Sequence, residues 1–224
     1  MNGRTPTLRE QQRSRTRQLL QTHAVRLFTE RGYDAVTVAD VAGAAGVSPM
    51  TVYRHFPTKE DLALVDRPAR LVAERVAASP ADRPLVRRVG DALVEAAAAL
   101  TRGTGDGPVT DRDFLLDCLR LMVATPALRA RHLDSQYALQ EAVLAALGHT
   151  DTATDPASAT TPVPVPDPDA AFRARAATSA CLAAMHTALT HWAEGDGRDD
   201  LPDLIARALA ASFGEDAFPG GRER

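Results

Sequence analysis

An all-α fold is what this sequence predicts, with a small three-helix head joined to a larger helical domain. Three observations predict it. Alanine dominates the apolar residues and aromatics are only 4%, and Ala loses no side-chain entropy on entering a helix. Runs rich in Val, Ile and Thr are missing, which removes the main signal for strands. Helix start and stop residues also recur along the chain, bracketing segments of helical apolar periodicity.

The first segment runs from Arg13 to Arg31, with Leu20, Ala24, Leu27 and Phe28 at i, i+4, i+7 and i+8. Gly32 ends it, because glycine alone enters the left-handed region freely. Thr37 opens a second, short helix in a capping box with Asp40, and it ends near Ala44-Ala45-Gly46. Ser48 caps a third helix, with Pro49 at the first position where a missing N–H costs nothing, and Pro57 stops it. Thr58 and Asp61 form another box that is expected to start a fourth helix. Residues 13–56 therefore read as three helices, the last two joined by a tight Gly46-Val47 turn. That is the layout of a helix-turn-helix.

Beyond the head, helices are expected over 82–100, 111–124, 126–148, 170–194 and 201–213. The 111–124 segment is apolar nearly all round, which marks a buried helix. On the 126–148 helix, Leu133, Tyr137, Val143, Leu144 and Leu147 are expected to point inward. The expected domains are a flexible basic arm (1–12), the head (13–60), a ligand-binding and dimerisation domain (61–214) and a disordered tail (215–224). Within the large domain, residues 149–169 hold five prolines and read as a mobile loop.

Charge is uneven. The whole chain carries −3, but residues 1–60 hold nine Arg and Lys against five carboxylates, a net of +4. The remaining 164 residues hold 17 against 24, a net of −7. A basic head on an acidic body is the asymmetry expected when one end meets phosphates. No uninterrupted apolar run reaches the ~18 residues of a membrane span, and the N-terminus has no apolar stretch behind its basic residues, so a cytoplasmic protein is expected. Cys118 and Cys181 read as buried thiols.

From Arg17 to Leu62 the chain closely resembles the TetR family of repressors. The matching elements are the Ala24–Phe28 stripe, Arg31-Gly32-Tyr33, Thr37-Val38-Ala39-Asp40-Val41-Ala42, Ala45-Gly46-Val47-Ser48, Thr51-Val52-Tyr53-Arg54-His55-Phe56 and Lys59-Glu60-Asp61-Leu62. The resemblance implies an all-α homodimer whose third helix lies in the major groove of an operator. It also implies that Thr37, Ser48, Pro49, Met50, Thr51, Tyr53, Arg54, His55 and Lys59 are the DNA-contacting positions.

Chemistry supports several of these roles separately. Thr37, Tyr53 and Lys59 suit phosphate oxygens. Met50 and Thr51 offer apolar contact to a thymine methyl, and Arg54 has the fork for guanine. Lys59 is the only lysine among 26 basic residues, a compact charge where arginine is otherwise used. Tyr53 and His55 equally suit closing the core of the head, and Pro49 equally suits starting its helix. Arg4, Arg9, Arg13 and Arg15 read as a solvated tail or, alternatively, a minor-groove arm.

The resemblance further implies a small-molecule effector and release of DNA when it binds. Residues 120–131 are similar to the branch that includes the mycofactocin-system regulator, whose effector is acyl-CoA-like. A cavity for an apolar ligand is expected among the helices at 82–100, 111–124, 126–147 and 170–194, lined by Phe114, Cys118, Leu121, Met122, Tyr137 and Met185. Core packing explains the same residues. For dimerisation, the 170–194 helix offers two faces. Leu182, Met185, Leu189 and Trp192 are expected to fill the subunit's own core. Ala176, Ala180, Ala183 and Thr187, with the apolar face of 201–213, are left for a second copy. Pro68 is expected to kink the helix linking head and sensor.

No enzyme activity and no cofactor are expected. The six histidines show no metal-ligand spacing, and no Gly-rich phosphate loop or nucleophile elbow occurs. A helical adaptor that binds protein is the main non-enzymatic alternative, against which the basic head argues.

Overall fold

The computed structural model describes residues 7–65, 69–102, 112–148 and 168–218. Among them there is no strand, and the helices are α1 (Leu8–Arg31), α2 (Val38–Ala44), α3 (Pro49–His55), α4 (Ala69–Ala78), α5 (Leu85–Arg102), α6 (Arg112–Ala124), α7 (Pro126–Ala146), α8 (Pro168–Glu194) and α9 (Leu201–Phe213), with a single 3-10 turn at Glu60–Leu62. The expectations for Pro68, and for 149–167 of the mobile loop, lie outside the described residues.

Several boundaries differ from those expected. α1 begins at Leu8, so residues 8–12 are helix and not a flexible arm. Thr7 and Glu10 supply the reason: each side chain accepts from the other's backbone N–H, a complete capping box. The Thr58–Asp61 box also forms, with Asp61 N–H on Thr58 Oγ1 and Thr58 N–H on Asp61 Oδ2. It opens one 3-10 turn and no long helix, and Leu62 and Ala63 are buried in the core. α5 starts at Leu85, three residues late, since Pro84 disfavours helical backbone at Arg83. Within the presumed tail Phe218 is buried, while Glu215 and Asp216 are exposed.

The chain divides into two compact units, with boundaries inside α5 and α7. The first unit comprises residues up to 66 together with 99–132. Its core joins Leu20, Ala24, Leu27 and Phe28 of α1 to Val41 and Ala42 of α2, Val52 and Phe56 at α3, and Leu62 and Ala63 beyond. Leu128, at the start of α7, is fully buried in the same cluster, and Leu121 of α6 packs against it. Arg131 adds an ion pair to Asp61 at 2.9 Å. The head is therefore not complete at residue 60. Residues 112–132, expected to belong to the sensor alone, supply one wall of its core.

The second unit comprises residues 67–98 and 133–224. α8 and α9 form its most extensive helix pair, linked by a turn that requires positive φ at Asp196 (57°) and Gly197 (67°). Trp192 is fully buried and donates its indole N–H to the Asp199 carbonyl at 2.9 Å, fixing that turn to α8. Phe218 lies against Gly90 of α5, so closely that any Cβ at position 90 would fall 2.4 Å from the ring. Arg87 holds the same segment twice, donating to the Ala217 carbonyl at 2.7 Å and sitting 5.3 Å over the Phe218 ring.

α8 has the two faces expected. Leu182, Met185, Leu189 and Trp192 are buried, while Ala176, Ala180, Ala183 and Thr187 are exposed. The apolar stripe of α9 is a correction: Leu201, Leu204, Ile205 and Leu209 are buried within the subunit itself, so they are not left open for a partner. On α7, Val143 and Leu144 point inward as expected, but Leu133 and Tyr137 are exposed.

Candidate nucleic-acid interface

α2 and α3 owe their start points to side-chain caps. Thr37 Oγ1 accepts from the Asp40 N–H at 3.2 Å and the Asp40 carboxylate takes the Thr37 N–H at 2.8 Å. The Thr37 hydroxyl also donates to that carboxylate at 2.5 Å, and this bond, followed by the one from the Thr37 N–H, holds the Asp40 carboxyl below the usual carboxylate range. Ser48 Oγ accepts from the Thr51 N–H at 3.2 Å and lies 3.0 Å from Thr51 Oγ1. Gly46, at φ 67°, makes the sharp turn between the two helices. Thr37, Ser48 and Thr51 thus all cap or brace a helix, whatever else their hydroxyls meet.

A short helix with two core anchors presents its other side to solvent. Val52 and Phe56 are buried, while Pro49, Met50, Tyr53 and Arg54 are exposed. Met50 is 76% exposed, an unusual position for a large apolar side chain, and Tyr53 is 49% exposed. Tyr53 therefore does not close the core of the head. Seven residues of α3 thus bring together an apolar tip, a phenol and a guanidinium fork on one open surface.

His55 is half-buried, with Nδ1 shut off from solvent and without a hydrogen-bond partner among the described residues. Burial, and after it the charges of Arg13, Arg54 and Arg17, hold the imidazole below its ordinary pKa. Arg17, which no motif in the sequence singles out, is what fixes the end of α3. Its Nη1 donates to the His55 carbonyl at 2.5 Å, and its guanidinium lies 4.1 Å over the Phe56 ring. The one signal for it is its place a turn before Gln21, whose amide donates to the Leu64 carbonyl at 2.9 Å. Both polar groups sit at the rim of the α1 apolar stripe.

Lys59 differs from the free point charge expected. Its Nζ donates to the Tyr33 carbonyl at 2.6 Å and lies 4.1 Å from the Tyr33 ring centroid and 5.6 Å from that of Phe28. Tyr33 in turn donates its hydroxyl to Glu60 at 2.9 Å, and burial followed by that carboxylate pushes the phenol up. Lys59 ties the loop after α1 to the 3-10 turn, leaving at most two of its three N–H donors for a phosphate.

The residues expected to line a ligand cavity fall in both units, Phe114, Cys118, Leu121 and Met122 in one and Tyr137 and Met185 in the other. Cys118 and Met122 are buried in α6 and Met185 in α8. Leu121 packs on the core of the head. Phe114 is half-buried. Tyr137 is 69% exposed. Burial raises both thiols, Cys118 and, to about 12, Cys181. Among the described residues no group of three or more His, Cys, Asp or Glu side chains stands close enough to hold a metal ion, and no helix is long and apolar enough to cross a membrane.

Residues 22–65 match the family model described as bacterial regulatory proteins, tetR family. The HTH-type transcriptional regulator TcmR of Streptomyces glaucescens is 35% identical over 130 residues, covering 57% of this chain and 57% of TcmR. An uncharacterised HTH-type transcriptional regulator of Mycobacterium bovis is 33% identical over 124 residues, covering 53% of this chain and 58% of that protein. The matches thus span little more than half the length of these relatives. Among solved structures, native NalD, the secondary repressor of the MexAB-OprM multidrug efflux pump in Pseudomonas aeruginosa, superposes with a TM-score of 0.52 at 23% identity. That superposition covers 89% of this chain and 96% of NalD, and it shows a shared fold.

Proposed function

Because residues 22–65 match the tetR family of bacterial regulatory proteins, we propose that this chain is a transcriptional regulator of that family, which binds a pseudo-palindromic operator as a homodimer and is released by a small effector. The observation that carries the reading is the open surface of α3, where Met50, Tyr53 and Arg54 project from a helix anchored by Val52 and Phe56. Inserted into a major groove, Arg54 would donate its fork to guanine and Met50 would meet a thymine methyl. Tyr53, Thr37 and the remaining donors of Lys59 would take phosphates. Two such heads in a two-fold dimer would sit about one DNA turn, ~34–36 Å, apart.

The exposed small-residue face of α8 supports the dimer. Ala176, Ala180, Ala183 and Thr187 allow close approach of a second helix, and the large face is already committed to the subunit's core. With the α9 stripe buried, the partner would meet the small residues of α8 chiefly.

For the effector we propose a small apolar molecule of acyl-CoA-like type, on the similarity of residues 120–131. The second unit adds one observation. Thr178, fully buried, continues the stripe of Leu182 and Met185 on α8, and its hydroxyl has no hydrogen-bond partner among the described residues. A buried hydroxyl without a partner is uncommon, and a polar group on a bound ligand would satisfy it.

Selection of duplexes from a random pool by the purified chain tests the DNA reading; the expected product is an inverted repeat, and no enrichment would defeat it. Titrating the selected complex with acyl-CoAs of several chain lengths tests the effector. Failure of every one to release the duplex would reject that class and leave the DNA reading standing.

A further inference from the structure

The helical start of α1 places its arginines in register. Arg9, Arg13 and Arg17 recur every four residues, so they share one face within about 80° of arc. Arg17 locks that face to the end of α3 through the His55 carbonyl and the Phe56 ring. Arg13 lies near enough for its charge to act on His55, as do Arg17 and Arg54. The cationic surface is therefore continuous from α3 onto α1. Arg9 and Arg13 are exposed, and neither enters an ion pair among the described residues. The capping box at Thr7 keeps the first turn formed, so these side chains stand on a firm helix and not on a free tail.

We propose that the Arg9–Arg13 face of α1 is a second nucleic-acid contact, taking backbone phosphates of the same duplex strand beside the segment read by α3. The inference rests on the DNA-binding reading above and adds a surface to it. Arg9 and Arg13 are separated by about 6 Å of rise along α1, close to two of the ~3.4 Å steps between phosphates of one strand along the duplex axis. A guanidinium fork suits phosphate oxygens in pairs. Phosphates are the partner and bases are not, because α3 supplies the groove-entering helix and α1 flanks it. Contacts of this kind raise affinity for every sequence alike.

α1 itself provides a charge-matched control. Arg15 and Arg26 lie about 160° and 140° around the helix from Arg13. Arg26 lies 3.7 Å from Glu30. The full chain is compared as wild type, as the Arg9→Gln, Arg13→Gln double variant and as the Arg15→Gln, Arg26→Gln double variant. All bind the duplex that the wild type selects from a random pool, once with about eight flanking base pairs per side and once trimmed to the selected core. Gln keeps helix propensity close to that of Arg.

Removing one phosphate-binding arginine should lower the salt slope of log affinity by about 0.9. The Arg9/Arg13 variant should therefore show a slope reduced by about 3.6 for a dimer, keep the wild-type sequence preference, and bind no better when flanking DNA is added. The Arg15/Arg26 variant should keep the wild-type slope and the wild-type benefit from flanks. Wild-type binding that is indifferent to the flanks would overturn the proposal without any variant. So would equal slopes for the two double variants, as a merely diffuse charge effect requires. A wild type that selects no duplex would overturn this proposal and the DNA-binding reading together.

Discussion

Replacing Arg17 with Met removes one group and leaves α3 without its fastener. The guanidinium donates to a carbonyl in the last turn of α3 and covers the Phe56 ring at 4.1 Å. A hydrogen bond from a charged donor contributes about 1.5–3 kcal/mol, and a cation over an aromatic face about 0.5–1 kcal/mol where partly exposed. Arg17 is only half-buried, so solvent screening takes the lower part of each range. About 2–3 kcal/mol remains. For a chain of this size each kcal/mol lowers Tm by roughly 2–4 °C, which puts the expected fall at about 4–12 °C. Arg17→Lys keeps a donor on a flexible stem but lacks the flat stack, so it should recover about half. Far-UV circular dichroism melts give the stability, and fluorescence anisotropy on a selected duplex gives the affinity. Affinity should fall for all sequences alike, because Arg17 positions α3 without reading a base. A Met variant with wild-type Tm and wild-type affinity would refute the reasoning.

The packing makes three further outcomes testable. Leu128→Ala should cost about 2–5 kcal/mol, the range for a fully buried leucine; a shift under about 1 kcal/mol in urea denaturation would remove Leu128 from the head's core. Ala183→Glu on the exposed face of α8 should yield monomers, and sedimentation velocity showing an intact dimer would reject that face as the interface. His55, held below its ordinary imidazole value of 6.5 by burial and by Arg13, Arg54 and Arg17, takes up its proton more readily once unfolded. Stability should therefore fall as pH drops below the unfolded value and be unaffected by this group at higher pH. His55→Asn should weaken that dependence in denaturation curves at about pH 5.5 and 7.5, on either side of the free imidazole's value; identical curves for the two proteins would exclude it.

The head is legible in the sequence because its punctuation is local. Thr37, Ser48, Pro49 and Gly46 each act on backbone groups within three or four residues, and the bonds they make are those their spacing implies. α9 is legible for the same reason: Asp200 caps it and Gly214, at φ 89°, ends it. The start of α1 carries the same kind of signal in Thr7 and Glu10, but residues 8–19 have no apolar stripe behind it, so periodicity alone places the helix start too late. Burial along α7 shows where periodicity runs out. Tyr137 and Leu144 lie two turns apart on one face, yet the first is exposed and the second buried. The difference is which neighbour covers each turn, and no spacing reports that. Lys59 escapes a sequence reading for a similar reason, because its carbonyl and two rings come from 26 or more residues away.

The shared core of residues 7–65 and 112–132 has a consequence for exchange between relatives. A chimera joined at a single point after residue 65 would combine one parent's Leu20, Phe28 and Val52 with the other parent's Leu121 and Leu128. Those side chains fill one space, and cores tolerate substitution only when total volume is kept. A working graft of a foreign head must therefore cross over three times, carrying the distant α6–α7 corner along with the reading helices. Shuffling of such proteins by simple end-to-end recombination would meet a packing barrier at the first junction, however well the two heads agree in their capping motifs.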